Sequence, residues 1–394
     1  MLKRLFVANV LLFVSAFFYS KYVRNVPVVV PFEVVRNAIF LPVEINGEVF
    51  TFQFDTGATT VISPNAAKRL GLDSTGWHHG MDYYGNTDSV THTIIPEITV
   101  GDIKVRNLKT SIITPGNMYE ICNVHLDGYL GLEFFDKKVI EIDLKNKGLT
   151  IAKSLNSLEN DYPDFVEIKY HDQQKTPLIP IYHVGTKAAE LVQFDTGSGN
   201  RFFNMSKKTF EKMIDDNVLS PDVIIDTIHS FTARGLFGSQ QDRQNYSFEA
   251  EGLRVGETIF SNVTVNTFET DFVSNLGAGL LEKAVVVIDL VKDRFYIKPY
   301  ENVNLDFKRK LDFQTINHEV SFIKPNSAAY LAGIREGDIL KSINNLHLDS
   351  IAFCDQLNMD WSEIYQQKNI QFVFSSKDGE IVYDYTAPEP GFEQ

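Results

Sequence analysis

Cysteine is nearly missing from the sequence. Only Cys122 and Cys354 occur, far apart, which leaves no disulfide framework and no thiolate zinc site and suggests two buried thiols in different domains. The nine histidines include no His-Glu-x-x-His, and the adjacent His78-His79 would point to opposite faces of a strand. No metal and no cofactor is therefore expected. No serine sits in a Gly-x-Ser-x-Gly, so nucleophilic serine chemistry has no motif. Gly277-Ala278-Gly279 does not continue into a dinucleotide-binding loop. Basic residues number 37 against 51 acidic ones, for a formal net charge of −14, and they form no cluster. A nucleic-acid partner, which needs Lys/Arg groups to displace counterions, is excluded on that ground.

The amino terminus carries two basic residues and then an apolar run from Leu5 to Tyr19. As a helix this run reaches about 22 Å, short of a hydrocarbon core of about 30 Å. That favours a secretory signal, with Val14-Ser15-Ala16 offering small residues for cleavage, while Phe17-Phe18-Tyr19 leaves an uncleaved anchor open. Residues 1–30 are read as signal peptide or membrane anchor, and the bulk of the chain as exported, periplasmic or otherwise extracytoplasmic. Few residues separate this segment from the first strands, so activation by removal of a propeptide is not expected.

The remaining sequence repeats itself. FDTGATT at 54–60 returns as FDTGSGN at 194–200. Ahead of the first copy, strand-like alternation runs from Asn37 to Val61 with Asn46-Gly47 as a hairpin turn; ahead of the second, LIPIYHV and AELVQF flank a turn near Gly185-Thr186. After each copy comes a strand, a glycine turn and a strand, at Ile98–Ile113 and Leu253–Phe268. GLEFFDKKVIEIDL (Gly131–Leu144) then lies over GAGLLEKAVVVIDL (Gly277–Leu290) without a gap. Two copies of one β-rich lobe are the economical reading, at 31–153 and 154–300, with polar Ser154–Lys175 as connector. Beyond Glu301–Lys310 the pattern changes to a small mixed α/β module at 306–388, with a helix expected over Ile351–Gln366 and strands around Lys377-Asp378-Gly379.

An aspartate ahead of Thr-Gly can face a cleft while glycine makes the turn. A single Asp-Thr-Gly means little; two in a duplicated lobe can bring Asp55 and Asp195 together about a pseudo-twofold axis. Like charges that close cannot both ionise, so one proton is shared. One carboxylate can then take a proton from water while the other polarises a carbonyl.

These motifs resemble the aspartic peptidases, the pepsin and retropepsin superfamily, over about Asn37–Lys298. The resemblance implies a mainly β, bilobal fold. It makes Asp55 and Asp195 the catalytic pair, with Thr56 and Thr196 bonding across the axis and Gly57 and Gly197 admitting close approach. Tyr129-Leu130-Gly131 fits the later hydrophobic-hydrophobic-Gly element, whereas Asn275-Leu276-Gly277 departs at its first residue. Ser198, where the first copy has Ala58, is expected to donate to the outer oxygen of Asp195, placing the charge on Asp195 and the proton on Asp55. A flap is expected at Gly80–Asn86 with Tyr84-Gly85 at its tip, and Phe237, from Gly235-Leu236-Phe237-Gly238, on the opposite wall. The run IKPNSAAYLAGIREGDILKSIN resembles PDZ domains of exported proteases through Pro325, Ser327, Ala328, Ala329, Gly333, Gly337 and Asp338, although the usual carboxylate loop is missing. The implied partners are a protein or peptide substrate, a peptide ligand at the PDZ-like module, and a membrane through the amino-terminal segment. A second class stays open, a peptide-binding protein that keeps the fold and cleaves nothing.

Overall fold

The computed structural model describes residues 26–114, 124–171, 174–199, 201–229, 236–238, 244–270, 272–300, 303–305, 311–316, 318–359, 361, 364 and 367–386. The amino-terminal segment, Cys122 and Gly235 lie outside them. The fold is mainly β, and the described residues form two compact units, one over 26–305 and one over 311–386.

In the larger unit, strand Ala38–Ile45 alternates buried and exposed residues toward its end and meets Glu48–Phe54 in antiparallel register, Ile45 opposite Glu48. Only Asn46 and Gly47 remain for the turn, and both have positive φ (53° and 80°), the backbone that matches the twist of paired strands. Glu48–Phe54 then runs beside Gly128–Leu130 in parallel, and Val61–Ile62 closes on the other side of that short strand. The whole eight-stranded sheet has the order 33–35, 38–45, 48–54, 128–130, 61–62, 103–112, 87–100, 76–81.

A second eight-stranded sheet follows the same plan: 169–170, 177–183, 189–195, 275–277, 203–206, 258–268, 244–255, 224–229. The turns correspond as well. Val100 pairs with Ile103 around Gly101 (φ 55°), and Val255 with Thr258 around Gly256 (φ 58°). Each acidic turn thus leaves the third strand of its own sheet.

A six-stranded sheet lies behind both, in the order 28–31, 148–152, 139–143, 284–289, 294–299, 166–167. Its central pair comes from the two stretches that align without a gap: Val139–Asp143 runs antiparallel to Ala284–Asp289, with Val139 opposite Asp289 and Ile142 opposite Val286. All six residues of Ala284–Asp289 are buried, as expected for a central strand covered on both faces. Phe54 meets Phe135 edge-on (5.4 Å between centroids) and Phe194 meets Phe295 (5.0 Å), so the floor under both turns is aromatic. The expected connector is not structureless; Val166–Glu167 and Lys169–Tyr170 each add a short strand.

The smaller unit is a sheet ordered 313–316, 319–323, 339–343, 369–376, 379–386, with 346–347 paired to 339–343. Its core centres on Phe313, Phe372 and Phe374. Ser327 caps the helix Ala328–Leu331, its Oγ accepting from Tyr330 N at 3.2 Å. The expected hairpin at Lys377-Asp378-Gly379 is present, with Ser376 opposite Gly379. Within the expected helix, Phe353–Asn358 and Ile364 are helical, and residues 360, 362, 363, 365 and 366 lie outside the described residues. Cys354 is disulfide-bonded, which corrects the expectation of a free buried thiol there.

Candidate active site

The two acidic turns meet. Thr56 N donates to Thr196 Oγ1 (3.1 Å) and Thr196 N donates to Thr56 Oγ1 (3.0 Å). Each hydroxyl then donates to the strand leading into the opposite turn, Thr56 Oγ1 to Phe194 O (2.7 Å) and Thr196 Oγ1 to Phe54 O (2.8 Å). All four bonds are buried, so the two turns are fastened by interactions that water does not replace.

This clasp places the carboxyl groups. Asp55 Oδ1 accepts from Gly57 N (2.9 Å) and Asp195 Oδ1 accepts from Gly197 N (2.8 Å). Each also lies over the other turn's glycine. A Cβ on Gly57 would come within 2.6 Å of the Asp195 carboxyl, and one on Gly197 within 2.3 Å of Asp55 Oδ2. Burial, and then the neighbouring Asp195 charge, hold the Asp55 carboxyl well above the ordinary carboxylate range.

Gly131 and Gly277 keep the crossing strands close behind the turns. A side chain on Gly131 would strike Ala58 O (2.5 Å) and the Glu133 carboxylate, and one on Gly277 would strike Arg201 O and Ser198 Oγ (both 2.3 Å). Glu133, which the sequence did not single out, accepts from Thr60 N. Thr60 Oγ1 in turn accepts from Gly131 N at 3.1 Å.

Ser198 corrects one expectation. Its hydroxyl donates to the backbone carbonyl of Asp195 (2.8 Å) and accepts from Ala278 N (3.3 Å), so it pins the turn and leaves the carboxylate alone. The outer oxygen of Asp195 is served instead by Asn275 Nδ2 (2.7 Å) and Gln193 Nε2 (3.3 Å). The residue that departed from the expected pattern is the one that reaches the acid.

The expected flap is a hairpin, Gly76–Met81 paired with Thr87–Val100, with Asp82–Asn86 at its tip. Gly85 has φ 81° and its N–H donates to Asp82 O (3.0 Å). Asp82 is buried (5% exposed). Its Oδ1 gathers the N–H groups of Tyr84 and Asn86, and its Oδ2 accepts from Phe237 N at 2.9 Å. The Phe237 ring lies against Gly80, where a Cβ would sit 3.2 Å away. Tyr83 stacks on Phe272, donates through its hydroxyl to Val273 O (3.1 Å) and accepts at its carbonyl from Thr270 Oγ1 (2.7 Å). Tyr84 faces Phe268 and Arg201, and Arg201 stacks on Phe268 at 4.6 Å. Burial raises the Tyr84 hydroxyl, with Arg201 opposing. The tip therefore rests on Phe268 of the second sheet and on the segment that follows it, through Thr270, Phe272 and Val273. Asp82 and Arg201 were missed in the sequence because their partners are 155 and 117 positions away in it, respectively Phe237 and Tyr84.

No curated protein matches the chain. A family model described as aspartyl protease matches residues 41–134, the stretch that holds Asp55, the hairpin and Tyr129-Leu130-Gly131 but ends before Asp195, and this match supports an aspartyl protease family for the chain.

Proposed function

We propose that the protein is an exported aspartic endopeptidase that hydrolyses peptide bonds with Asp55, Asp195 and an activated water. One observation carries the reading: two acids from duplicated turns converge, each carboxyl seated over the other turn's glycine. In this reading Asp195 takes a proton from water as its oxygen attacks the carbonyl carbon, and Asp55 gives its proton to the carbonyl oxygen. The resulting diol collapses: Asp195 hands its proton to the departing nitrogen, the C–N bond breaks, and a diol hydroxyl returns a proton to Asp55. Thr56 and Thr196 hold the pair at this spacing. Tyr84, Gly85 and Phe237 border the substrate.

Export is supported by the amino-terminal sequence and by the bonded state of Cys354, since cytosolic thiols are normally kept reduced. The PDZ-like module is proposed to add a peptide strand at a sheet edge, and the amino-terminal segment to tether the chain to a membrane if it is not cleaved.

The test is digestion of a peptide library by the wild-type ectodomain beside Asp55→Asn and Asp195→Asn. Loss of a general acid/base costs on the order of 10²–10⁴ in rate, so both variants should be nearly silent. Equal cleavage by all three would refute the dyad. Peptide binding without cleavage by the wild type would favour the binding-protein reading, which the hairpin's fastening by Asp82 and Tyr83 would also suit.

A further inference from the structure

We infer that Asn275, aided by Gln193, is a positioning residue that fixes which of the two acids carries the negative charge, by binding the outer oxygen of Asp195. The inference rests on the peptidase reading for its catalytic meaning, though the interaction stands apart from it.

The two copies allow an internal comparison. In the first sheet Gln53 lies opposite Tyr129; in the second Gln193 lies opposite Asn275. Asp55 receives the N–H of Gly57 and a further backbone bond from Ala58, and no side-chain amide among the described residues. Asp195 receives the N–H of Gly197 and two amide donors as well. Donors to a carboxylate oxygen favour its ionised form. The asymmetry therefore puts the charge on Asp195 and leaves the proton for Asp55.

Asn275 is 3% exposed, and its Oδ1 has no hydrogen-bond partner among the described residues. Burying an amide with an orphaned oxygen is unfavourable, and a hydrophobic residue, as the family pattern has at this position, would avoid it. What the amide gains is its 2.7 Å bond to Asp195 Oδ2. Among the described residues, the other ionisable groups facing Asp195 are Asp55 across the turn and Tyr83 and Tyr84 from the hairpin, the latter in contact with Arg201. Glu190, on the same strand, is bonded to His183 and Ser274.

The experiment follows the aspartate carboxyl carbons by NMR through a pH titration, alongside the pH dependence of kcat/KM, in the wild type, Asn275→Leu and Gln193→Met. Removing Asn275 should move the lower dyad titration, and the acidic limb of the rate profile, up by about one pH unit. Gln193→Met, which deletes the longer bond, should give a smaller shift in the same direction and guards against misfolding of the first variant. A uniform fall in rate with both titrations unmoved would reduce Asn275 to a packing residue and overturn the inference. Absence of hydrolysis by the wild type would count against the peptidase reading alone, because the carboxyl titration still reads the amide's effect.

Discussion

The clasp between the acidic turns makes a quantitative prediction that does not depend on catalysis. Thr56→Val keeps the shape of the side chain and deletes one hydroxyl. Two buried backbone groups then lose their partner, Thr196 N and Phe194 O. At about 1–3 kcal/mol for each orphaned buried group, the variant should lose about 2–6 kcal/mol, a large share of the roughly 5–15 kcal/mol typical of a folded domain. Thr196→Val orphans a different pair, Thr56 N and Phe54 O. The double variant should nonetheless lose less than the sum, because once the turns part, water reaches all four groups. Urea denaturation of the wild type, both single variants and the double variant measures this, with Thr56→Ser as the control that retains the hydroxyl. A loss below about 0.5 kcal/mol in either single variant, the range of an ordinary surface change, would show that these bonds do not hold the turns together.

Two further predictions concern the acids. Gly197→Ala would place a methyl 2.3 Å from Asp55 Oδ2, while Gly57 N holds Oδ1; the carboxyl must move, and kcat should drop on the order of a hundredfold with melting little changed, as steady-state kinetics beside thermal denaturation would show. Asp55→Asn should be more stable than the wild type at neutral pH. The folded carboxyl is held well above its unfolded value of about 3.9, so the folded state binds the extra proton and wild-type stability falls as pH rises through the folded value. The advantage of the variant should vanish at and below about pH 4; denaturation midpoints that differ equally at pH 3.5 and pH 7 would contradict this.

Most of the framework was legible because it was written twice. A glycine-bearing hairpin turn (Asn46-Gly47 in the first copy, Gly185-Thr186 in the second), a strand ending in Phe-Asp-Thr-Gly and a later Leu-Gly each have a local cause, and their recurrence in order implies one sheet plan used two times. The partners of the carboxylates were not legible in the same way. Ser198 was expected at the outer oxygen of Asp195, yet a hydroxyl three residues past the acid finds the nearer carbonyl of Asp195 first. Asn275 looked like a flaw because its value depends on the parallel register that sets it against Gln193, two residues ahead of the acid. Asp82 resembled any turn-forming aspartate; that its second oxygen would meet Phe237 N depends on two hairpins from different sheets converging.

The six-stranded ladder binds the two halves of the larger unit together. A fragment stopping near residue 153 would bare the edge of Val139–Asp143, whose first four side chains are buried in the intact chain, against solvent. Edges of that kind seek another strand, and the antiparallel geometry already in use here would accept a second copy of the same segment about a twofold axis. In the full-length chain Ala284–Asp289 already occupies that edge, so the second half of the larger unit protects the first from pairing with a copy of itself.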